Sequence, residues 1–145
     1  MEKRIRNLGE LQVSAKEILA TLAPSDTATL IVLSGELGAG KTTLTQAFAR
    51  ELGIVESVTS PTFVLEKIYE LSDAPFTKLI HLDAYRLTSG KDLEPLNFDE
   101  FLTDPTNLII LEWPEKVADA LPTPTLAIGL TPNNDGSRTM IYTHG

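Results

Sequence analysis

The chain has 145 residues, a length suited to one domain on a single sheet and too short for two. Its 42% hydrophobic content is that of a globular protein; the absence of cysteine excludes disulfides and thiolate metal sites, and no run reaches the about 18 apolar residues of a membrane span. With 12 Lys+Arg against 20 Asp+Glu the net charge is -8, which argues against a basic face gripping nucleic acid directly and leaves an acidic surface that either aids solubility or docks on a basic partner.

Met1-Glu2-Lys3-Arg4 leads into no signal-peptide core, and the expected location is the cytoplasm. Leu8, Leu11, Ala15, Ile18, Leu19 and Leu22 then form one helical stripe, with Asn7 and Glu10 placed as a capping pair. The spacing predicts a sheet-covering helix from Leu8 to Leu22, broken by Pro24, Ser25 and Asp26. Thr29 to Ser34 follows, and its apolar run Leu30 to Leu33 reads as a buried strand.

Gly35 to Thr42 fits the phosphate-binding pattern G-x-x-x-x-G-K-[ST] at every required position. Glycines at 35, 38 and 40 let the backbone curl into a ring of N–H groups, and the helix that follows turns its positive end toward that ring. Lys41 is then placed to reach β and γ oxygens, and Thr42 to ligate a Mg²⁺ bridging two phosphates. The helix is predicted from Leu44, Ala47, Phe48 and Leu52, with Gly53 as its stop.

Val64 to Leu71 and Phe76 to Asp83, joined through Ser72-Asp73-Ala74-Pro75, read as an antiparallel hairpin. Between Thr88 and Leu102 the interrupted pattern predicts one or two short helices, the second near Phe98 to Leu102. Leu108 to Leu111 reads as another buried strand, ending in Glu112 and Trp113. Pro114 opens a predicted helix through Val117 and Leu121, and Thr125 to Leu130 and Thr139 to Tyr142 are two final strands around Asn133-Asn134-Asp135-Gly136. With no repeat and no linker, the expected architecture is a single P-loop α/β domain over 1–145, its central sheet mostly parallel with an antiparallel hairpin and flanking helices.

Turnover of a nucleotide needs an acid for Mg²⁺ and a group that orients water. Asp83 and Glu112 both close buried strands, at the sheet edge where ligands of open α/β folds bind.

Together with the loop, Ser60-Pro61-Thr62-Phe63, His81-Leu82-Asp83-Ala84-Tyr85-Arg86-Leu87 and Glu112-Trp113-Pro114-Glu115 give a pattern that resembles the TsaE family, also called YjeE, across nearly the whole chain. Those are small bacterial P-loop ATPases of the tRNA threonylcarbamoyladenosine (t6A) pathway. The resemblance implies ATP on Glu36, Leu37, Gly38, Ala39, Gly40, Lys41, Thr42 and Thr43, with Thr62 in a segment sensing the γ-phosphate. It implies Mg²⁺ on Thr42 and Glu112, and catalytic roles for Lys41, Asp83 and Glu112; which of the two acids touches the metal stays open. His81, Tyr85 and Arg86 are carried over as site or partner-facing residues with structural readings beside them, and Trp113 as a packed residue at the nucleotide edge. Implied partners are the TsaD and TsaB proteins, which modify adenosine 37 of tRNAs reading codons that begin with A. This chain would drive their cycle without performing the transfer, meeting tRNA only through the complex. Where many relatives carry Gly, this chain has Asn97, a residue that also tolerates a left-handed turn.

Three rival functions would leave different marks on the sequence. A GTP switch would carry Asn-Lys-x-Asp, and Thr77-Lys78-Leu79-Ile80 lacks the aspartate. A small-molecule kinase would gather arginines into a lid, and those at 4, 6, 50, 86 and 138 form no cluster. A nucleotide-gated interaction module with little hydrolysis is the remaining alternative.

Overall fold

A computed structural model describes residues 1–36, 38–54, 65–72 and 74–145. Leu37 and Thr62, with the rest of Ser60-Pro61-Thr62-Phe63, lie outside the described residues, as do Val64 and Asp73 of the expected hairpin.

Seven described strands form one sheet: β1 (Glu2–Ile5), β2 (Thr29–Ser34), β3 (Glu66–Glu70), β4 (Lys78–Asp83), β5 (Asn107–Glu112), β6 (Leu126–Pro132) and β7 (Arg138–His144), in the order β1-β7-β6-β2-β5-β4-β3. The four inner strands β6, β2, β5 and β4 run parallel, while β3 and the β7–β1 pair add antiparallel edges. This is the expected mixed α/β architecture.

The inner strands are apolar at both parities because both faces of the sheet are covered. On one face Ile31, Leu33, Leu108 and Ile110 pack with Ile18 and Phe48 from α1 (Leu8–Ala20) and α2 (Lys41–Glu51). On the other, Leu30, Val32, Ile109 and Leu111 pack with Leu93, Phe98 and Val117. Leu93 belongs to a 3-10 helix, Gly90–Leu96, and Phe98 opens α3, Phe98–Thr103. These are the two short helices the sequence predicts. Between them Asn97 holds φ 59°, the left-handed turn expected of it.

At the start of α1 the Asn7 side chain accepts from the Glu10 N–H at 2.9 Å. Glu10 reaches back one residue further than the expected pairing, accepting from the Arg6 N–H at 2.7 Å.

One strand is unread in the sequence, and one expectation is corrected. Strand β1 has no apolar periodicity, and it forms because its backbone pairs with the edge of β7, Glu2 opposite Ile141 through Ile5 opposite Arg138. Residues 114–121 form two 3-10 turns, Pro114–Lys116 and Ala118–Ala120, rather than one helix. Val117 between them takes φ -131°, and its side chain is fully buried in the second core. Burying that valine outweighs continuing the helix.

Candidate functional site

The carboxyl ends of the parallel strands lie along one edge, and four segments meet there: the glycine-rich loop after β2, the start of α2, Asp83 at the end of β4 and Glu112 at the end of β5. Gly35 leaves β2 at φ 147°, and a Cβ there would stand 2.6 Å from the Leu130 carbonyl oxygen, so no larger residue fits without moving β6. The Ala39 N–H donates to the Glu36 carbonyl at 3.0 Å, closing a turn, and buried Ala39 anchors it. Gly40 precedes α2 at φ 105° with no side-chain cap, which leaves the first N–H groups of α2 directed toward the loop.

Lys41 is 5% exposed. Its Nζ donates to the carbonyls of Gly35 at 2.6 Å and Glu36 at 2.9 Å, and lies 4.1 Å from the centre of the Trp113 ring. Burial lowers the pKa of this ammonium below the ordinary lysine value, opposed by the charges of Glu112, Glu115 and Asp83. Thr42, one residue on, points its Oγ1 at Glu112 Oε1 across 3.4 Å. Thr43 takes no part in that pair and lines a cleft on the outer side of the loop.

Glu112 is 2% exposed, an unusual place for a carboxylate unless it is paired. Its Oε2 meets His81 Nε2 at 2.5 Å. In the β4–β5 register Asp83 stands beside Glu112, so both acids face the α2 side of the sheet. Asp83 is half-buried, and burial raises its pKa, as does Glu112, against the backbone N–H of Tyr85 that Asp83 Oδ1 accepts at 3.0 Å.

Trp113 follows Glu112 at φ 62° and ψ 54°, a left-handed conformation rare for an aromatic residue. Its N–H donates to Leu33 O at 3.1 Å, and its ring lies 4.9 Å from that of exposed Tyr85, tilted by 50°. Arg86 is exposed beside it.

Geometry adds one residue that the sequence reading passed over. Arg138, opening β7, donates from Nη2 to the Gly38 carbonyl at 3.3 Å and runs close over Gly40. It closes the cleft that Asn7, Leu8, Leu11, Thr43 and Leu130 also line. No local spacing could have found it, since a lone arginine at a strand start carries no motif.

Among the described residues no group of three His, Asp or Glu forms a metal cage by itself. The oxygen pair of Thr42 and Glu112 is hard-donor chemistry of the kind that could contribute to holding a Mg²⁺ ion.

Fold and site together define a mixed α/β domain whose glycine-rich loop joins a central parallel strand to a helix, with acids at neighbouring strand ends. The family model "Threonylcarbamoyl adenosine biosynthesis protein TsaE" matches residues 5–140, and the chain belongs to that family. Proteins named tRNA threonylcarbamoyladenosine biosynthesis protein TsaE are similar to it. That of Bacillus subtilis is 36% identical over 140 residues, covering 97% of this chain and 83% of the relative. That of Treponema pallidum is 39% identical over 109 residues, 75% of this chain and 77% of the relative. That of Streptomyces coelicolor is 48% identical over 94 residues, 63% of this chain and 61% of the relative. Among solved structures, Bacillus subtilis YdiB superposes with a TM-score of 0.79 at 30% identity, covering 99% of this chain and 84% of that one.

Proposed function

We propose that this chain is a Mg²⁺-dependent ATPase required for t6A formation at position 37 of tRNAs reading codons that begin with A, acting on a TsaB–TsaD complex and not itself the transferase. The pathway follows from the family, whose members bear the t6A biosynthesis name. The ATPase reading is carried by one observation: Lys41 and Thr42 open α2 at the glycine-rich loop, with Glu112 3.4 Å from Thr42.

In this reading the loop and the start of α2 hold the phosphates through backbone N–H groups. Lys41 exchanges the carbonyls of Gly35 and Glu36 for phosphate oxygens, for which its compact charge is better matched. Thr42 and Glu112 would hold Mg²⁺, which when bound would supply charge neutralisation at the phosphates. Asp83, whose raised pKa favours accepting a proton, orients the attacking water beside Glu112. The cleft between α1 and the outer side of the loop, with Leu8, Leu11 and Leu130 as apolar walls, takes the base. Thr62 keeps its proposed γ-phosphate role on the family resemblance alone.

The test is phosphate release from Mg-ATP by the chain alone and with a purified TsaB–TsaD pair, with GTP in parallel. Expected are a low basal rate, strong stimulation by the pair, and preference for ATP. Lys41→Ala should abolish turnover and weaken binding, while Glu112→Ala should keep some binding and lose Mg²⁺-dependent hydrolysis. Binding of the pair with a near-zero rate would favour the interaction module, and turnover of a small acceptor without the pair would favour a kinase.

A further inference from the structure

Glu112 is held closely on one side and loosely on the other, where the Thr42 hydroxyl donates to Oε1 across 3.4 Å. Its Oε2 is taken by His81 at 2.5 Å, while Oε1 points the other way, toward Thr42. His81 is wholly buried on β4, in the row of side chains that includes Leu79 of the same strand and Ile110 opposite it on β5. A carboxylate only accepts hydrogen bonds, so Nε2 of the imidazole carries the hydrogen of this contact. The other ring nitrogen, Nδ1, is buried and has no partner among the described residues.

As core packing alone this is a poor choice of residue. A leucine would fill the row without burying a ring nitrogen that no described residue partners. What the histidine supplies and a leucine does not is the grip on Oε2. A free glutamate carboxylate can rotate and offer either or both oxygens to a cation. Here one oxygen is tied down, and the other is aimed at the α2 hydroxyl.

We infer that His81 is a positioning residue, which holds Oε2 of Glu112 so that Oε1 alone is presented to the divalent cation shared with Thr42. The inference rests on the proposed Mg²⁺-nucleotide site and decides between its two acids. Glu112 is the oriented ligand. Asp83, tied to the Tyr85 N–H and not to His81, is left to the water side.

The test compares His81→Leu, which removes the donor, with His81→Gln, whose side-chain amide restores an N–H at about the reach of Nε2. ATP affinity is measured in EDTA and then as a function of Mg²⁺, with Mn²⁺ binding followed by electron paramagnetic resonance. Metal-free ATP affinity should match the wild type in both variants. In His81→Leu the cation concentration for half-saturation should rise by about ten- to a hundred-fold, and His81→Gln should recover most of that loss. Equal cation affinity in wild type and His81→Leu would overturn the inference. A wild type that binds ATP with no cation dependence would instead overturn the metal site beneath it.

A readout on the unaltered protein covers the case in which His81→Leu fails to fold. The chain has 2 histidines, so the ring-nitrogen ¹⁵N signals of His81 can be assigned against those of His144. A hydrogen on Nε2 with Nδ1 bare supports the grip on Glu112; a hydrogen on Nδ1 with Nε2 bare overturns it.

Discussion

The Lys41 ammonium sits 4.1 Å from the centre of the Trp113 ring while donating to the carbonyls of Gly35 and Glu36. A cation over an indole face is worth about 0.5–2 kcal/mol, and phosphate oxygens compete for the same ammonium. Mg-ATP should draw Lys41 off the ring. Trp113 is the chain's only tryptophan, so its emission should change saturably as Mg-ATP is added. In Lys41→Ala the response should be flat. An unchanged response in that variant would mean the cation is not what the indole reports.

The backbone of Trp113 gives a second prediction. At φ 62° it pays the left-handed penalty of about 1–2 kcal/mol for a residue with a Cβ. Both Trp113→Ala and Trp113→Gly lose the ring's contacts, but only Gly relieves the backbone. Trp113→Gly should therefore be more stable than Trp113→Ala by about 1 kcal/mol, the reverse of the usual order for these two residues. Urea midpoints of the two variants without nucleotide decide it.

How far the sequence could be read follows from what each signal depends on. Leu108 to Leu111 and Leu30 to Leu33 were legible as buried strands because a doubly covered strand is apolar at every position. The left-handed turn at Asn97 was legible only through the family resemblance, where Asn stands for a Gly that many relatives carry. Strand β1 was not legible, since Glu2, Lys3 and Arg4 owe their conformation to pairing with β7 far along the chain. The 3-10 turns after Trp113 were misread because the proline signal is local and the burial of Val117 is not. The same limit applies at the candidate site. Glycine spacing marks the loop, but the contact of His81 with Glu112 depends on strand register, and that of Arg138 with Gly38 spans 100 residues. Neither leaves a trace in spacing.

Arg138 yields a third prediction. Its guanidinium holds the Gly38 carbonyl from outside and closes the cleft beside Gly40. Arg138→Ala should lower ATP affinity by about three- to tenfold, the effect of losing one partly exposed charged hydrogen bond of about 1 kcal/mol. The β6–β7 ladder does not use this side chain, so the unfolding midpoint should shift little. Isothermal titration and urea unfolding of the one variant separate the two effects. A large stability loss with unchanged affinity would reassign Arg138 to the sheet edge.

Glu66, the first residue of β3, carries the last prediction. One of its carboxylate oxygens is buried without a partner among the described residues, and burial raises its pKa above the ordinary carboxyl value. The sign is opposite to that of a salt-bridged acid. The folded chain binds this proton more tightly than the unfolded chain, so the ionised group is a liability at neutral pH. That liability fades as the pH falls through the raised value toward the unfolded one. Glu66→Gln removes the charge and should stabilise the protein at about pH 7 by less than about 1 kcal/mol, since the residue is only partly buried. The gap between variant and wild type should shrink as both are unfolded at progressively lower pH, toward about pH 4. A gap that widened on acidification would mean that the ionised Glu66 is stabilised in the fold.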